Sequence, residues 1–181
     1  YKEQIFSAYG VVGKQFNRFK IQGGLRVEQA YQIPNLISDT IRIVNDYFNF
    51  FPSGHLRYEL KPKSELSFSY SRRIKRAAAD ELNPFTNYSD PYNLRQGNPF
   101  LKPEFIHSFD LAYSLERKKL TVTSSLYYRN STGVISRVKE FYENGTSAVT
   151  FMNIAETKAL GFEAVFMFKP ITALRSTLSY N

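Results

Sequence analysis

The sequence predicts an all-β protein, an antiparallel meander of about eight strands across 181 residues. Three observations support this fold class. Apolar and polar residues alternate with a period of two over most of the chain, turn-forming residues separate the alternating runs, and no convincing helical period interrupts them. The composition is 43% hydrophobic and 16% aromatic, which is too apolar for a disordered chain. The sequence therefore encodes a folded sheet.

The alternation is clearest in "LTVTSSLYYR", where Leu126 and Tyr128 share one face and Thr123 and Ser125 share the other. The same pattern recurs in "SELSFSYSRR", "HSFDLAYSLE" and "RFKIQGGLRVEQ". It predicts one apolar and one polar face for the whole sheet. The predicted strands cover roughly residues 2–12, 17–29, 47–60, 64–75, 105–116, 120–139, 148–169 and 173–181.

The predicted connections fall into two lengths that alternate along the chain. Tight ones lie near 13–16, 61–63, 117–119 and 170–172, and long ones at about 30–46 and 76–104. Because consecutive strands of a meander run in opposite directions, all tight turns lie at one end of the sheet. The connection at 140–147 belongs to the other end but is short. Its strands are long instead, so we expect this hairpin to project.

Short turns at one end and long loops at the other are typical of outer-membrane β-barrels. Tyrosines near strand ends, such as Tyr70 and Tyr128, match an aromatic girdle. A run of about 18 apolar residues, which a transmembrane helix needs, is absent from the sequence. A soluble β-sandwich also has alternating strands, and the pattern leaves it as the competing fold. A strand of about 20 residues over 120–139 is longer than an apolar band of ~25 Å needs, which favours a large receptor-type barrel.

The run "YSRRIKRAAADELNPFTNYSDPYNLRQGNPFLKPEFIHSFDLAYS" carries five short motifs in order: S-R-R-I-x-R, L-N-P-F, Y-S-D-P-Y, G-N-P-x-L-K-P-E and H-S-F-D-L. With flanking stretches such as "FMNIAETKALGFEA", it resembles the outer-membrane barrel region of TonB-dependent receptors of the Bacteroidetes type. One departure is Ala77–Ala79, where the family usually has Pro and an aromatic residue. The resemblance implies that residues 1–181 are a β-barrel segment of a larger transmembrane barrel, without its plug domain.

By this resemblance, residues 76–104 form an extracellular loop whose prolines fix an extended, pre-ordered path. The loop is either a packing element that anchors itself to the barrel rim or a surface that contacts a ligand. Alternation predicts that Arg73 and Lys75 face the lumen, where they would attract an anionic solute. The alternative is that these residues are simply the solvated end of a strand. Alternation sends Arg72 and Arg76 outward, towards lipopolysaccharide phosphates. The candidate ligand-binding residues are Arg73, Lys75, Tyr88, Asp90, Tyr92 and Asn93.

The chain is basic, with 24 Lys and Arg against 16 Asp and Glu and a net charge of +8. Such a balance suggests an anionic surface or ligand, although a missing part of the protein could carry the opposite charge. A nucleic-acid patch lacks the supporting fold. The chain has no cysteine and no recognisable catalytic or metal-binding motif, and its two histidines, His55 and His107, lie in strands. We therefore expect no enzyme activity, no cofactor and no metal.

The sequence thus predicts a fragment of a TonB-dependent receptor for energy-coupled uptake of a scarce nutrient, in the cell outer membrane of a Gram-negative bacterium. Expected partners are outer-membrane lipid and lipopolysaccharide, the TonB complex through an N-terminal part, and a surface lipoprotein, with no nucleic acid. The alternatives are a small structural or adhesin-like barrel and an outer-membrane enzyme such as a lipid hydrolase. The pattern leaves siderophore, glycan, peptide and cobalamin open as substrates.

Overall fold

The computed structural model describes residues 2–33, 45–143, 145–171 and 174–181, and these form one nine-stranded sheet. The strands are β1 (Lys2–Phe16), β2 (Phe19–Ile33), β3 (Asn45–Lys61), β4 (Ser64–Lys75), β5 (Asn93–Arg95), β6 (Glu104–Glu116), β7 (Leu120–Phe141), β8 (Ser147–Ile171) and β9 (Leu174–Tyr180). No helix that is long and apolar enough to cross a membrane occurs within those ranges.

Eight of the nine strands form the predicted antiparallel meander, each paired with the next along the chain. The ninth, β5, is a three-residue strand inside the predicted long loop, and it pairs parallel to β8. No pairing among the described strands joins β1 to β9, so the sheet stays open. The all-β prediction is therefore confirmed, with one short strand added.

Tight turns join the strands at one end, as expected. Asn17 and Lys63 adopt left-handed φ angles of 47° and 64°, a conformation that helps the chain to reverse within a short turn. The first turn is at residues 17–18, and the predicted position of 13–16 is wrong. The β1–β2 ladder continues to the pair Phe16–Phe19, because Asn tolerates the left-handed conformation in which the chain reverses. Of the long connection predicted at about 30–46, residues 34–44 lie outside the described residues, as do residues 172–173 of the last tight turn.

The two faces of the sheet differ as the alternation predicts. The apolar face carries continuous cross-strand rows; in one of them Phe68 lies opposite Leu111, Leu111 opposite Leu126, and Leu126 opposite Phe162. These four side chains are 41–48% exposed, so a large part of each remains uncovered by the described chain. Large exposed apolar rows of this kind require an apolar environment. The polar face carries the intervening serines, threonines and charged residues.

The β4–β6 loop (residues 76–103) folds back over the polar face near the long-loop end of the sheet. Its side chains Ala77, Leu82 and Leu101 are buried and pack with Ile135 and Phe151 of β7 and β8. The loop does not follow the predicted extended path, because it is built from consecutive turns closed by backbone hydrogen bonds. The interpretation of this segment as a packing element therefore has direct structural support.

Candidate ligand-binding site

Asparagine side chains fasten the β4–β6 loop to β7 and β8. The Asn98 amide donates to the Phe151 carbonyl over 3.0 Å. Asn153 donates to the carbonyls of Lys102 at 2.8 Å and Gly133 at 2.7 Å, and its own carbonyl accepts the Lys102 N–H at 2.8 Å. These bonds satisfy backbone groups that no strand ladder reaches, so the loop is held in one place on the wall.

The opposite side of the loop reaches β3. Asn45 donates to the Pro99 carbonyl over 3.1 Å, and the Tyr47 hydroxyl donates to the Leu101 carbonyl over 3.3 Å. Loop backbone is therefore bound at both β3 and β8, which are separated in the sheet by β4, β6 and β7. The loop spans the polar face instead of standing away from the rim.

A cavity of about 440 Å³ lies between the loop and the polar face of β7 and β8. Arg95, Arg137 and Lys139 line it, and Asp80 is the one acidic residue that the described chain adds to its lining. The remaining lining residues are three amides, two phenylalanines, a glycine and a valine: Asn83, Asn87, Gln96, Phe85, Phe151, Gly97 and Val149. Three cations against one carboxylate, together with two aromatic rings, suit a solute that is both anionic and partly apolar.

The predicted site residues Asp90 and Asn93 build the tip of the loop. Asp90 accepts hydrogen bonds from the backbone N–H groups of Tyr92 and Asn93, and from the Asn93 side-chain amide at 2.9 Å. The Asn93 amide, followed by the Tyr92 N–H, lowers the pKa of the Asp90 carboxyl below its usual value, since these donors favour the charged form. Asn93 in turn accepts hydrogen bonds from Lys139 at 3.1 Å and Ser147 at 2.9 Å. The tip is thereby pre-ordered above the cavity.

Two predicted site residues at the same tip, Tyr88 and Tyr92, present free aromatic rings. Their side chains are 71% and 70% exposed. Nearby, a second cavity of about 290 Å³ is lined by Asn87, Ser89, Asp90, Asn93 and Arg95. Of the predicted loop residues, Asp90 and Asn93 line this second cavity, whereas Tyr88 and Tyr92 are in the lining of neither.

Arg73 and Lys75 lie apart from that tip, at the end of β4. Arg73 donates to the Ser108 hydroxyl over 2.8 Å, and Lys75 forms an ion pair of 3.0 Å with Glu104, whose side chain is almost completely buried. Both cations are on the polar face, as the alternation predicts. Lys75 lies opposite Glu104 in the β4–β6 ladder, and Arg73 reaches Ser108 on the same face. Neither of them lines the two cavities described above.

The prediction for Arg76 is wrong. It was expected on the outward face, yet its guanidinium forms an ion pair of 2.5 Å with Glu28 on the polar face and lies 3.9 Å from Glu3. Alternation applies while the chain remains extended, and β4 ends at Lys75. Arg72, which is still within the strand, does face outward, and its guanidinium carbon lies 4.4 Å from the centre of the Phe105 ring.

The cationic cavity residues Arg95, Arg137 and Lys139 were missed by the sequence-based site prediction. A signal for two of them existed, because Arg137 and Lys139 continue the odd-numbered polar face of β7. The β7–β8 register shifts between Ser131 and Ile135 and then recovers. Odd-numbered residues of β7 therefore lie on the polar face both before and after the irregularity. Arg95 lies in β5, which is too short to show any periodicity.

The two histidines are placed as alternation predicts. His55 lies opposite Gln22 on the polar face. His107 lies on the apolar face, with its Nδ1 atom 2.9 Å from the Tyr70 hydroxyl. In the described ranges, no group of three or more His, Asp or Glu side chains is arranged to hold a metal ion.

The whole chain, residues 1–181, matches the model of a family described as the outer membrane protein beta-barrel family. Among curated proteins, none matches this sequence significantly.

Solved structures with the same fold include outer-membrane receptors. The Serratia marcescens hemophore receptor HasR, solved with its hemophore HasA and heme, has a TM-score of 0.78 at 11% identity over 92% of this chain. The Pseudomonas aeruginosa ferric enterobactin receptor PfeA has a TM-score of 0.75 at 15% identity over 98% of the chain. The Acinetobacter baumannii siderophore receptor PirA has a TM-score of 0.67 at 17% identity over 98%.

The chain spans 32%, 26% and 27% of the lengths of those three structures. Identities this low establish a shared fold and nothing finer. At that level they confirm the outer-membrane β-barrel fold that the resemblance implies.

Proposed function

The chain belongs to the outer membrane protein beta-barrel family, and from this premise we propose that it forms part of the wall of an outer-membrane receptor. This receptor takes up a scarce nutrient, using energy that the TonB complex passes from the inner membrane. The work is binding and transport, without a catalytic centre. The structural neighbours with receptor names support this proposal at the level of the fold.

The observation that carries the proposal is the cavity of about 440 Å³ beneath the β4–β6 loop. A loop that folds inward over the polar face, and that is fastened there through Asn98 and Asn153, supplies a pre-organised binding surface. Such a surface loses little conformational entropy when a solute binds. Arg95, Arg137 and Lys139 give it a positive potential that attracts an anionic solute.

The candidate residues predicted from the sequence have separate roles in this proposal. Tyr88 and Tyr92 contact the solute with their exposed rings as it arrives at the loop tip. Asp90 and Asn93 hold that tip in position. Arg73 and Lys75 contribute positive charge to the polar face below it, while their bonds to Ser108 and Glu104 fix their direction.

We also propose that residues 1–181 are a segment of a larger barrel that encloses a plug domain. The sheet is open between β1 and β9 in the described chain, and unpaired backbone groups in hydrocarbon cost several kcal/mol each. Further strands would pair with the unpaired backbone N–H and C=O groups of β1 and β9. Outer-membrane lipid and lipopolysaccharide would surround this wall, and a surface lipoprotein would be the partner if the solute is a glycan or peptide.

Uptake by living cells tests the proposal. A strain lacking the complete gene is compared with its parent for accumulation of labelled ferric siderophores, cobalamin, oligosaccharides and peptides, with and without a proton uncoupler. We expect at least one labelled solute to accumulate in the parent, and this accumulation to disappear both in the deletion strain and after uncoupling. Equal accumulation of every solute in parent and deletion strains would contradict the proposal.

Site-directed variants locate the binding site. Arg137→Gln with Lys139→Gln should weaken binding of that solute, because both cations line the cavity. The matched control is Lys2→Gln with Lys158→Gln, which removes the same charge from exposed positions elsewhere. Loss of binding in the control pair to the same extent would show that general charge, and not this cavity, is responsible.

A further inference from the structure

The positive charge of the chain is concentrated at one end of the sheet. Four groups of described residues meet at the tight-turn end: 14–20, 57–65, 116–120, and 169–171 with 174–175. Together they contain eleven of the 24 Lys and Arg but three of the 16 Asp and Glu, so the rest of the chain holds 13 of each and is neutral. The basic residues are Lys14, Arg18, Lys20, Arg57, Lys61, Lys63, Arg117, Lys118, Lys119, Lys169 and Arg175, and the acids are Glu59, Glu65 and Glu116. The whole net charge of +8 therefore belongs to this end.

Most of these cations have no carboxylate partner. Glu116 pairs with Lys63 at 3.1 Å, and Glu65 pairs with Arg57 at 3.4 Å. The salt bridges of the described residues include no others within the basic set. All eleven of these basic residues are exposed. A single-sign surface of this kind repels itself unless anions lie against it.

An aromatic belt lies next to these cations on the apolar face. The rings of Phe19 and Tyr58 stack with their centres 4.4 Å apart, and Lys14 places its Nζ atom 4.7 Å from the centre of the Phe16 ring. Phe168 is 49% exposed near the last turn. Aromatic girdles mark the depth of the lipid headgroups, and Lys and Arg beside them extend their charged ends towards the headgroup phosphates.

The same end also contains a cavity on the polar face of the sheet. This cavity of about 260 Å³ lies between the first two tight turns and is lined by Arg18, Lys20, Arg57 and Lys63, with Glu59 and Glu65 on its wall. Glu65 is already neutralised by Arg57. The excess of positive charge at this end thus extends from the turns onto the polar face.

We propose that the tight-turn end binds the phosphate groups of anionic glycerophospholipids, with phosphatidylglycerol as the representative, in the leaflet on that side of the membrane. In outer-membrane barrels the short turns lie on the periplasmic side, which is the phospholipid leaflet. The binding orders anionic lipid around the wall and fixes its depth in the bilayer. This inference is independent of whether the protein transports a solute.

The test uses the complete protein, purified in detergent and mixed with equal amounts of phosphatidylglycerol and phosphatidylethanolamine. Native mass spectrometry counts the lipids that remain bound. The turn variant removes three cations from the tight turns: Lys61→Gln, Lys118→Gln and Lys119→Gln. The matched control removes three exposed cations from elsewhere in the chain: Lys2→Gln, Lys102→Gln and Lys158→Gln. Because each cation near an anionic lipid surface contributes about fivefold in affinity, the turn variant should lower the ratio of phosphatidylglycerol to phosphatidylethanolamine by ~10-fold or more. The control should stay close to wild type.

Three results would overturn the proposal. The first is an unchanged ratio in the turn variant, or equal retention of the two lipids by the wild type. The second is displacement of phosphatidylglycerol by excess inorganic phosphate, which would make the free anion the ligand. The third is displacement of phosphatidylglycerol by lipopolysaccharide, if the retention of lipopolysaccharide needs the same three lysines. The turn end would then bind the lipid of the opposite leaflet.

Discussion

The Glu104 carboxylate accepts the backbone N–H of Ile135 at 2.9 Å, at the point where the β6–β7 ladder stops. The last ladder pair is Phe105–Thr132, so a side chain continues the connection that the strand no longer makes. The same carboxylate oxygen also accepts Lys75 at 3.0 Å. One buried acid therefore joins β4, β6 and the irregular part of β7 beneath the β4–β6 loop.

Replacing this acid should destabilise the wall beneath the loop. Glu104→Ala leaves the Ile135 N–H and the Lys75 ammonium without their acceptor, and we expect a loss of about 2–3 kcal/mol in the free energy of unfolding. Glu104→Gln should lose less, because its amide oxygen still accepts the N–H. Urea titration of the complete protein in detergent measures both. Glu156→Ala, at an exposed ion pair with Lys158, is the control and should change little. Equal losses at the two positions would show that burial of Glu104 has no special importance.

Gly97 is a position where the loop has no room for a side chain. A Cβ atom there would lie 2.6 Å from the carbonyl oxygens of both Glu81 and Asn83. Gly97→Ala should therefore separate two backbone segments that bond to each other over 2.7 Å, at a cost of about 1–3 kcal/mol. Limited proteolysis should cut the β4–β6 loop faster in this variant. Gly54→Ala, where a Cβ meets nothing within 4 Å, should behave as wild type; matching sensitivity in both variants would count against the packed loop.

Much of the wall follows from the sequence, because burial on one face of a strand fixes a period of two. Phe68 and Leu126 illustrate this, since both lie in the apolar row that alternation assigns to them. The inward fold of the β4–β6 loop does not follow, because it rests on single long-range bonds such as Asn98 to the Phe151 carbonyl, which leave no periodic trace. Arg76 was misplaced for the same reason. Its pairing with Glu28 depends on the path of the chain after β4 ends.

The loop tip should loosen at low pH. The pKa of Asp90 is lowered in the folded protein, chiefly by the Asn93 side-chain amide and then by the Tyr92 N–H. The stabilisation is therefore complete above the usual carboxyl pKa of about 4 and is lost as the pH falls through the lower folded value. Amide hydrogen exchange at Tyr92 and Asn93, corrected for the intrinsic pH effect, should show less protection in strong acid. Asp90→Asn should remove this pH dependence, and an unchanged dependence in that variant would exclude Asp90 as its cause.

The two ends of the sheet should be accessible from opposite sides of the outer membrane. The chain contains no cysteine, so single cysteines can be introduced and labelled without background from these residues. Tyr88→Cys, at the exposed loop tip, should react with a membrane-impermeant maleimide on intact cells. Lys118→Cys, in the tight turn after β6, should react after the outer membrane is permeabilised. The opposite pattern would reverse the assigned orientation of the wall.

The most direct test of the membrane-wall assignment is spin labelling of neighbouring positions in the complete protein within a lipid bilayer. Labels replace Phe68 and Leu126 on the apolar face, and Ser69 and Ser125 on the polar face. Collision rates are measured with oxygen, which concentrates in lipid, and with a water-soluble nickel chelate. If the apolar face meets lipid and the polar face lines the lumen, Phe68 and Leu126 sites should favour oxygen, and Ser69 and Ser125 sites the chelate. Similar accessibility at all four sites, or the reverse alternation, would contradict the account.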